Sequence, residues 1–213
     1  HELRNPMTPL LGVADLALAA ARAAGDTCPP RVTALLERMQ LIVQDYVQRA
    51  TRLLDVSRIQ AGNLQLEPAA TDLSALVLSV AQRYEAKATR GRSPLELDVE
   101  GGVCGVWDRL AVEQVAENLL SNALKFGVGK PVTLRLRSDE RSARLEVQDR
   151  GIGITPDQQA RIFGRFEQVV SQHRDASGFG IGLWIANQLA GAMGGGITVS
   201  SRLGEGSTFT VTL

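Results

Sequence analysis

Apolar residues in the first 60 positions recur at alternating steps of three and four. In the first segment they are Leu3, Met7, Leu10, Ala14, Ala17 and Ala21, and in the second Val32, Leu35, Met39, Ile42, Tyr46, Leu53 and Val56. This spacing predicts one apolar stripe along each of two α-helices. Between them, Gly25 favours a helix end and Pro29 and Pro30 favour a helix start. The short connection predicts an antiparallel hairpin.

Two helices cannot enclose such stripes between themselves. A second copy of the hairpin would complete a four-helix bundle and bury them. The alternative is that the hairpin packs on the rest of its own chain. We expect the dimeric four-helix bundle.

From residue 61 onward the apolar pattern changes to period two, which predicts strands with one buried face. The predicted strands are 64–66, 95–99, 132–136, 145–147 and 209–213. The predicted helices are about 72–90, 108–126, 156–163 and 182–193, the third opened by a capping box at Thr155–Gln158. This order predicts an α+β domain, a mostly antiparallel sheet with helices on one face. We divide the chain into domains 1–61 and 62–213, with a hinge near 61–63.

Composition narrows the classes of function. Lys plus Arg and Asp plus Glu each number 23, so bulk positive charge does not predict nucleic-acid binding. No apolar run is long enough for a membrane span, and no signal peptide opens the sequence. Cys28 and Cys104 are two separate thiols, which predict neither a disulfide framework nor a zinc site.

A polar stripe follows the predicted 108–126 helix. Asn118, Asn122 and Lys125 are spaced i, i+4 and i+7 and share one face, whereas Leu119 and Ala123 lie on another. Two carboxamides and an ammonium group suit a phosphate chain and a hard cation such as Mg²⁺. The alternative is an ordinary solvated helix face.

A second cluster, Asp149 to Ile154, directly follows a predicted strand. Gly151 and Gly153 would let the backbone approach a flat ligand, and the Asp149 carboxylate could accept from an exocyclic amine such as that of adenine. The alternative is a simple Asp-Gly turn.

The third cluster, Gly178 to Leu183, opens a predicted helix. Its glycines would expose backbone N–H groups to phosphates. The polar segment 164–177 before it, which contains His173, predicts a mobile lid.

Together, in this order, the clusters resemble the cytoplasmic core of a sensor histidine kinase. The resemblance covers essentially the whole chain and implies a catalytic domain of the GHKL (Bergerat) ATPase type. The residues that carry it are the phosphoacceptor box at 1–6, the hairpin exit at 54–62, the asparagine box at 118–126, the first glycine box at 149–154, the phenylalanine box at 162–168, the second glycine box at 178–183, and the closing strands at 194–195 and 204–209.

This resemblance implies a reaction. ATP bound with Mg²⁺ would donate its γ-phosphoryl group to His1, and an aspartate of a response-regulator receiver domain would then accept it. A neutral imidazole is already a nucleophile near pH 7, and Glu2 would accept the proton of its other ring nitrogen. Asn5, one helical turn from His1, would position water for dephosphorylation of the receiver, so we expect phosphatase activity too.

The resemblance also implies the nucleotide contacts. Asn122 would ligate Mg²⁺, with Asn118 and Lys125 near the phosphates, and Asp149 would read the adenine amine beside Phe126. The other expected contacts are Gly151, Gly153, Ile154, Gly178, Gly180, Gly182, Leu183 and Thr208.

Some positions depart from the family pattern. Gly127 stands where Ser or Thr is frequent, with little effect expected. Gln168 replaces an arginine found in some members, so Arg165 or Arg174 would have to supply that charge. In the family the first helix begins before the phosphoacceptor, so we expect a fragment without its upstream helix and sensor region, either cytoplasmic or the cytoplasmic part of a membrane-anchored protein.

Two other functions stay open. One is a non-kinase ATPase of the same superfamily, which would carry a catalytic Glu where Asn118 stands. Glu117 is adjacent in sequence but lies about 100° away around the helix. The other is a catalytically weak dimeric scaffold that binds receiver domains.

Overall fold

A computed structural model describes residues 4–23, 29–62, 64–167 and 180–213. The chain divides into two compact units, His1–Gly62 and Asn63–Leu213. The division falls one residue from the boundary that the sequence predicts. His1, Glu2 and Gly178 lie outside the described residues.

The first unit is a helical hairpin of α1 (Arg4–Ala23) and α2 (Pro30–Gln60). Pro29 is the N-cap of α2 and Pro30 its first residue, as the prolines predict. Arg22 pairs with Glu37 at 3.0 Å, and the Gln40 amide donates to Asp15 at 2.6 Å. Partner numbers fall along α1 as they rise along α2, so the helices are antiparallel.

The hairpin buries only part of its apolar surface. Ala14, Leu18 and Ala21 of α1 and Val56 of α2 are buried. The predicted α2 stripe lies on the outside of the hairpin, where Leu35 is 65% and Ile42 61% exposed. Its exposed members are Val32, Leu35, Met39, Ile42, Tyr46 and Leu53.

The second unit is an α+β sandwich, which confirms the predicted class. Its elements are β1 (Ala69–Asp72), α3 (Leu73–Arg90), β2 (Leu95–Val99), β3 (Cys104–Trp107), α4 (Arg109–Phe126), β4 (Val132–Ser138), β5 (Ala143–Asp149), α5 (Pro156–Gln159), α6 (Gly182–Ala192), β6 (Gly196–Arg202) and β7 (Gly206–Thr212). The main sheet has the order β2-β4-β5-β7-β6, and β1 and β3 form a separate two-stranded ribbon. Only the β2–β4 pairing in the main sheet is parallel.

The core lies between one face of this sheet and the helices. Alternate residues of β4, β5 and β7 point inward and are buried, and α4 and α6 cover them with fully buried side chains such as Leu119 and Ile185. The opposite face is polar. Arg135 there donates to Asp98 at 3.1 Å and to Glu146 at 3.2 Å, across three adjacent strands.

Three details differ from the sequence prediction. Residues 64–66 form no strand and instead lead into β1, while β1, β3 and β6 themselves were not predicted. The helix predicted over 156–163 ends at Gln159 and continues as turns, although its capping box at Thr155 and Gln158 is present. No helix in the described ranges combines the length and apolar character needed to cross a bilayer.

Candidate functional site

The three predicted clusters converge around α4 in the second unit. The helix begins at the N-cap Asp108, whose carboxylate accepts from the Ala111 N–H at 2.9 Å. α4 packs against α6 and β5. A Cβ on Gly151, just after β5, would lie 2.1 Å from the carbonyl oxygen of Phe126 at the end of α4. A Cβ on Gly127, just past the helix, would be 3.2 Å from the Asp149 Cβ. The asparagine stripe therefore lies between the end of β5, where the first glycine cluster begins, and Gly182 of the second cluster.

Asn118 faces the first residue of α6. It is only 7% exposed, and a Cβ on Gly182 would lie 2.9 Å from its Oδ1 atom. Its carboxamide forms no hydrogen bond to another described residue, and no fully buried side-chain nitrogen or oxygen in that part of the chain is unpaired. The carboxamide is therefore mostly buried but still reachable from solvent. Asn118 is thus not on an ordinary solvated helix face.

The rest of the stripe is half-buried. Asn122 and Lys125 follow Asn118 along α4 as predicted, and the Lys125 Nζ lies 4.9 Å from the Phe126 ring centroid. One edge of α4 thus carries two carboxamides, an ammonium group and an aromatic ring.

Asp149 ends β5 with its side chain buried, 5% exposed. Its carboxylate accepts the Gly151 backbone N–H at 2.7 Å and a backbone hydrogen bond from Ser207. Burial raises the pKa of this carboxyl, and the two hydrogen bonds and the charge of Lys130 oppose that rise. The first glycine box is therefore not a simple solvent-exposed turn.

The second glycine cluster closes against the phenylalanine box. Gly180 has φ +66°, and a Cβ there would lie 2.3 Å from the Glu167 carbonyl oxygen. Residues 167 and 180 therefore meet, on either side of 168–179. The predicted lid largely falls in that range, together with Gln168, His173, Arg174 and Gly178, outside the described residues.

Arg165 lies close to the start of α6. Its guanidinium carbon is 5.8 Å from the ring centroid of Trp184, and Leu183 between Gly182 and Trp184 is half-buried. A cation is therefore held next to the helix start that Asn118 also faces.

The sheet register places Ser207 next to Asp149, a neighbour that the sequence did not predict. Ser207, not Thr208, is directly opposite Asp149, and Thr208 pairs with Gln148 on the polar face. Ser207 is buried on the face that Asp149 shares. Period-two alternation counted from Phe209 could have identified it, because Phe209 is a core residue and Ser207 has the same parity.

Glu117 points away from this site. Its carboxylate accepts from Arg83 of α3 at 2.8 Å, and Arg83 also pairs with Glu113. These contacts raise the pKa of the Arg83 guanidinium, chiefly through the hydrogen bond to Glu117. Glu117 thus ties α4 to α3.

The phosphoacceptor residues are described only in part. Asn5 belongs to the first turn of α1, and His1 and Glu2 precede the described residues.

Comparison with known proteins identifies the class. Residues 107–213 match the family of histidine kinase-, DNA gyrase B-, and HSP90-like ATPases. This match covers half of the chain, and the chain belongs to that family.

Similarity over the full length narrows the class to sensor histidine kinase cores, as the motifs predict. The chain is 33% identical to the circadian input-output histidine kinase CikA of Synechococcus elongatus over 99% of its own length and 28% of that protein. It therefore spans little more than a quarter of that relative.

Solved structures support the same fold. Full-length ShkA in complex with AMPPNP superimposes with a TM-score of 0.77 at 26% identity, over 100% of this chain and 43% of ShkA. The Acinetobacter baumannii histidine kinase AdeS does so with a TM-score of 0.67 at 23% identity, over 100% and 96% of the two chains. AdeS thus shares the fold of both units.

Proposed function

We propose that this chain binds ATP with Mg²⁺ and transfers the γ-phosphoryl group to His1, from which an aspartate of a response-regulator receiver domain takes it. The observation that carries the proposal is the convergence on α4 of a solvent-reachable Asn118 carboxamide at the start of α6 and a buried Asp149 carboxylate at the end of β5.

The residues fit a magnesium nucleotide. The base would lie near Asp149 and Phe126, with its exocyclic amine donating to the carboxylate. The phosphates would lie along Asn118 and Lys125 toward the N-terminus of α6, where backbone N–H groups favour anions. Gly182 leaves room for the Asn118 Oδ1, which a Cβ would displace. Asn122 would hold Mg²⁺, which neutralises phosphate charge when bound.

At the acceptor, a lone pair of His1 would attack the γ-phosphorus. The new N–P bond would form as the bond from phosphorus to the β–γ bridging oxygen breaks, and ADP would leave. Glu2 would accept the proton of the other ring nitrogen. Arg165, held beside Trp184, is the described candidate for stabilising the transferred group.

Two features of the hairpin bear on its partners. The exposed α2 stripe favours a homodimer that completes a four-helix bundle. Asn5 follows His1 by four residues in the sequence, and its amide would position water for dephosphorylating the receiver. We therefore extend the proposal to phosphatase activity. We also propose that the chain acts in the cytoplasm, because ATP is available there.

The contacts of Glu117 disfavour the ATPase alternative. An ATPase needs a carboxylate that activates water at the phosphates, whereas Glu117 is paired with Arg83 between α3 and α4. In the described residues, α4 presents carboxamides on its other edge.

Labelling with γ-³²P-ATP and Mg²⁺ tests the proposal. We expect an acid-labile, alkali-stable label on a chain extended upstream of His1, because a phosphoramidate hydrolyses in acid. His1→Ala should abolish it. Asn122→Ala should also abolish it while leaving the oligomeric state unchanged, because Asn122 belongs to the second unit.

Gln82→Ala, an exposed amide on α3, is the matched control and should label normally. Label that persists in His1→Ala would remove His1 from its role. Rapid phosphate release without any protein label would favour the ATPase.

A further inference from the structure

Several connected hydrogen bonds hold the loop 150–155 against the end of β6 and the β6–β7 turn. The Gly204 N–H donates to the Ile152 carbonyl at 2.7 Å. Gly153 has φ +69°, and a Cβ there would lie 1.9 Å from the Arg202 carbonyl oxygen. Only glycine permits this approach, so the loop backbone rests directly on the end of β6.

Ile154 is held at both of its peptide groups. Its N–H donates to the Ser201 Oγ at 2.9 Å. Its carbonyl accepts from the Gln159 Nε2 at 2.9 Å, and the same amide donates to the Ser201 carbonyl at 2.9 Å. Gln159 thus joins the loop, β6 and its own helix α5.

Ser201 and Gln159 together form a clamp on the loop, and the Ser201 hydroxyl connects this clamp to Asp149. It donates to the Gly206 carbonyl at 2.7 Å and lies 2.9 Å from the Ser207 Oγ. With its one proton given to Gly206, Ser201 accepts from Ile154 and Ser207. Ser201, Ser207 and Asp149 are register partners across β6, β7 and β5.

We propose that Ser201 and Gln159 are positioning residues of the nucleotide site, which fix the 150–155 loop and the Asp149 carboxylate in the geometry that reads the purine base. The inference rests on the proposed function. A glycine-containing loop loses much conformational freedom when it orders on a ligand. A loop that is already clamped avoids that loss, and the fixed Asp149 carboxylate discriminates between the amine of adenine and the carbonyl of guanine.

Binding of ATP and GTP to single variants tests the inference. Ser201→Ala should weaken ATP binding about five- to tenfold, the effect of about one lost hydrogen bond. The ratio of ATP to GTP affinity should narrow. The apparent KM of autophosphorylation should rise more than kcat falls, because the phosphate contacts on α4 are intact.

The neighbouring serine supplies the matched control. Ser200 is exposed and pairs with Thr208 on the polar face, so Ser200→Ala should change neither affinity nor selectivity. Ser201→Thr keeps the hydroxyl and should restore most of the ATP affinity. A purely structural role would lower stability without changing the ATP-to-GTP ratio of the folded molecules.

Gln159→Glu tests the second residue independently. It keeps the shape but removes both amide donors, and should also weaken ATP binding about five- to tenfold. Gln82→Glu adds the same charge at an exposed position of α3 and should bind as the wild type does.

Each outcome decides between the two proposals. If the wild type binds ATP but Ser201→Ala and Gln159→Glu match their controls, the positioning role is wrong and the nucleotide site stands. If the wild type binds no ATP, the proposed function fails and the inference fails with it.

Discussion

The Asp149 carboxyl is placed where ionisation is unfavourable. It is buried at the end of β5, and burial raises its pKa despite two backbone hydrogen bonds and the charge of Lys130. A position chosen only for stability would favour a neutral residue. The carboxyl is explained better by a ligand that donates a hydrogen bond to it.

We predict opposite effects of Asp149→Asn on binding and stability. The neutral amide should weaken ATP binding about 10- to 100-fold, the range for a hydrogen bond to a charged group. The ligand-free second unit should be at least as stable as the wild type near neutral pH. Trp107 and Trp184 both lie in that unit, so tryptophan fluorescence follows its unfolding within the whole chain. A large loss of stability would contradict this prediction.

The pH dependence follows from the same pKa. A raised pKa means that the folded state holds the proton more tightly than the unfolded chain. The stability due to this proton is fully present below the unfolded-state pKa and is lost as pH rises through the folded one. Asp149→Asn should remove this component from the pH profile of unfolding. ATP affinity in the wild type should fall as pH decreases through the raised pKa.

Helices α3 and α4 each begin with an aspartate N-cap, and the N-cap of α4 makes an additional hydrogen bond. Asp72 caps α3 by accepting the Ala75 N–H at 2.9 Å. Asp108 caps α4, and its second oxygen accepts the Glu67 N–H at 2.8 Å. The start of α4 is therefore tied to the segment that precedes β1.

We predict that Asp108→Ala destabilises the second unit more than Asp72→Ala does. Loss of an N-cap costs about 1 kcal/mol. The extra hydrogen bond to Glu67 should add about 1 kcal/mol, which corresponds to a further 2–4 °C in Tm for a unit of this size. Thermal unfolding followed by tryptophan fluorescence compares the two variants. Equal shifts would show that the bond to Glu67 contributes no stability.

The elements that the sequence predicts best are those with local signals. α4 carries its cap, its apolar period and its polar stripe within 20 residues, and the structure places it within one residue of the prediction. β1 and β3 carry no such signal. Ala69 and Ala70 of β1 and Gly105 of β3 acquire strand geometry only because the two strands pair with each other. The parallel β2–β4 pairing is likewise non-local.

The site shows the same division. The asparagine and glycine boxes could be proposed as site residues from the sequence. Each proposed role needs a particular side chain or, at the glycines, no side chain. Ser207, the register partner of Asp149 on β7, was not predicted, because no local signal gives the register between β5 and β7. The Ser201–Gln159 clamp joins residues 42 positions apart and leaves no periodic signal.

At the scale of the molecule, the two units differ in how completely each encloses its core. The second unit buries the inner face of its sheet beneath its own helices. The hairpin leaves an apolar row along α2 on its surface, with Leu35 and Ile42 among its members. A second hairpin is the partner whose chemistry matches, because it presents the same stripe with two-fold symmetry.

We predict that Ile42→Lys prevents formation of the proposed homodimer. Two-fold symmetry would place two unpaired ammonium groups in the apolar interface, raising the dimer dissociation constant on the order of 100-fold. Ala34→Lys adds the same side chain at an exposed position off the stripe and should remain dimeric. Sedimentation equilibrium measures both. ATP affinity should be unchanged in both variants, because the nucleotide residues belong to the other unit. A monomeric wild type, or equal behaviour of the two lysine variants, would contradict a bundle built on this stripe.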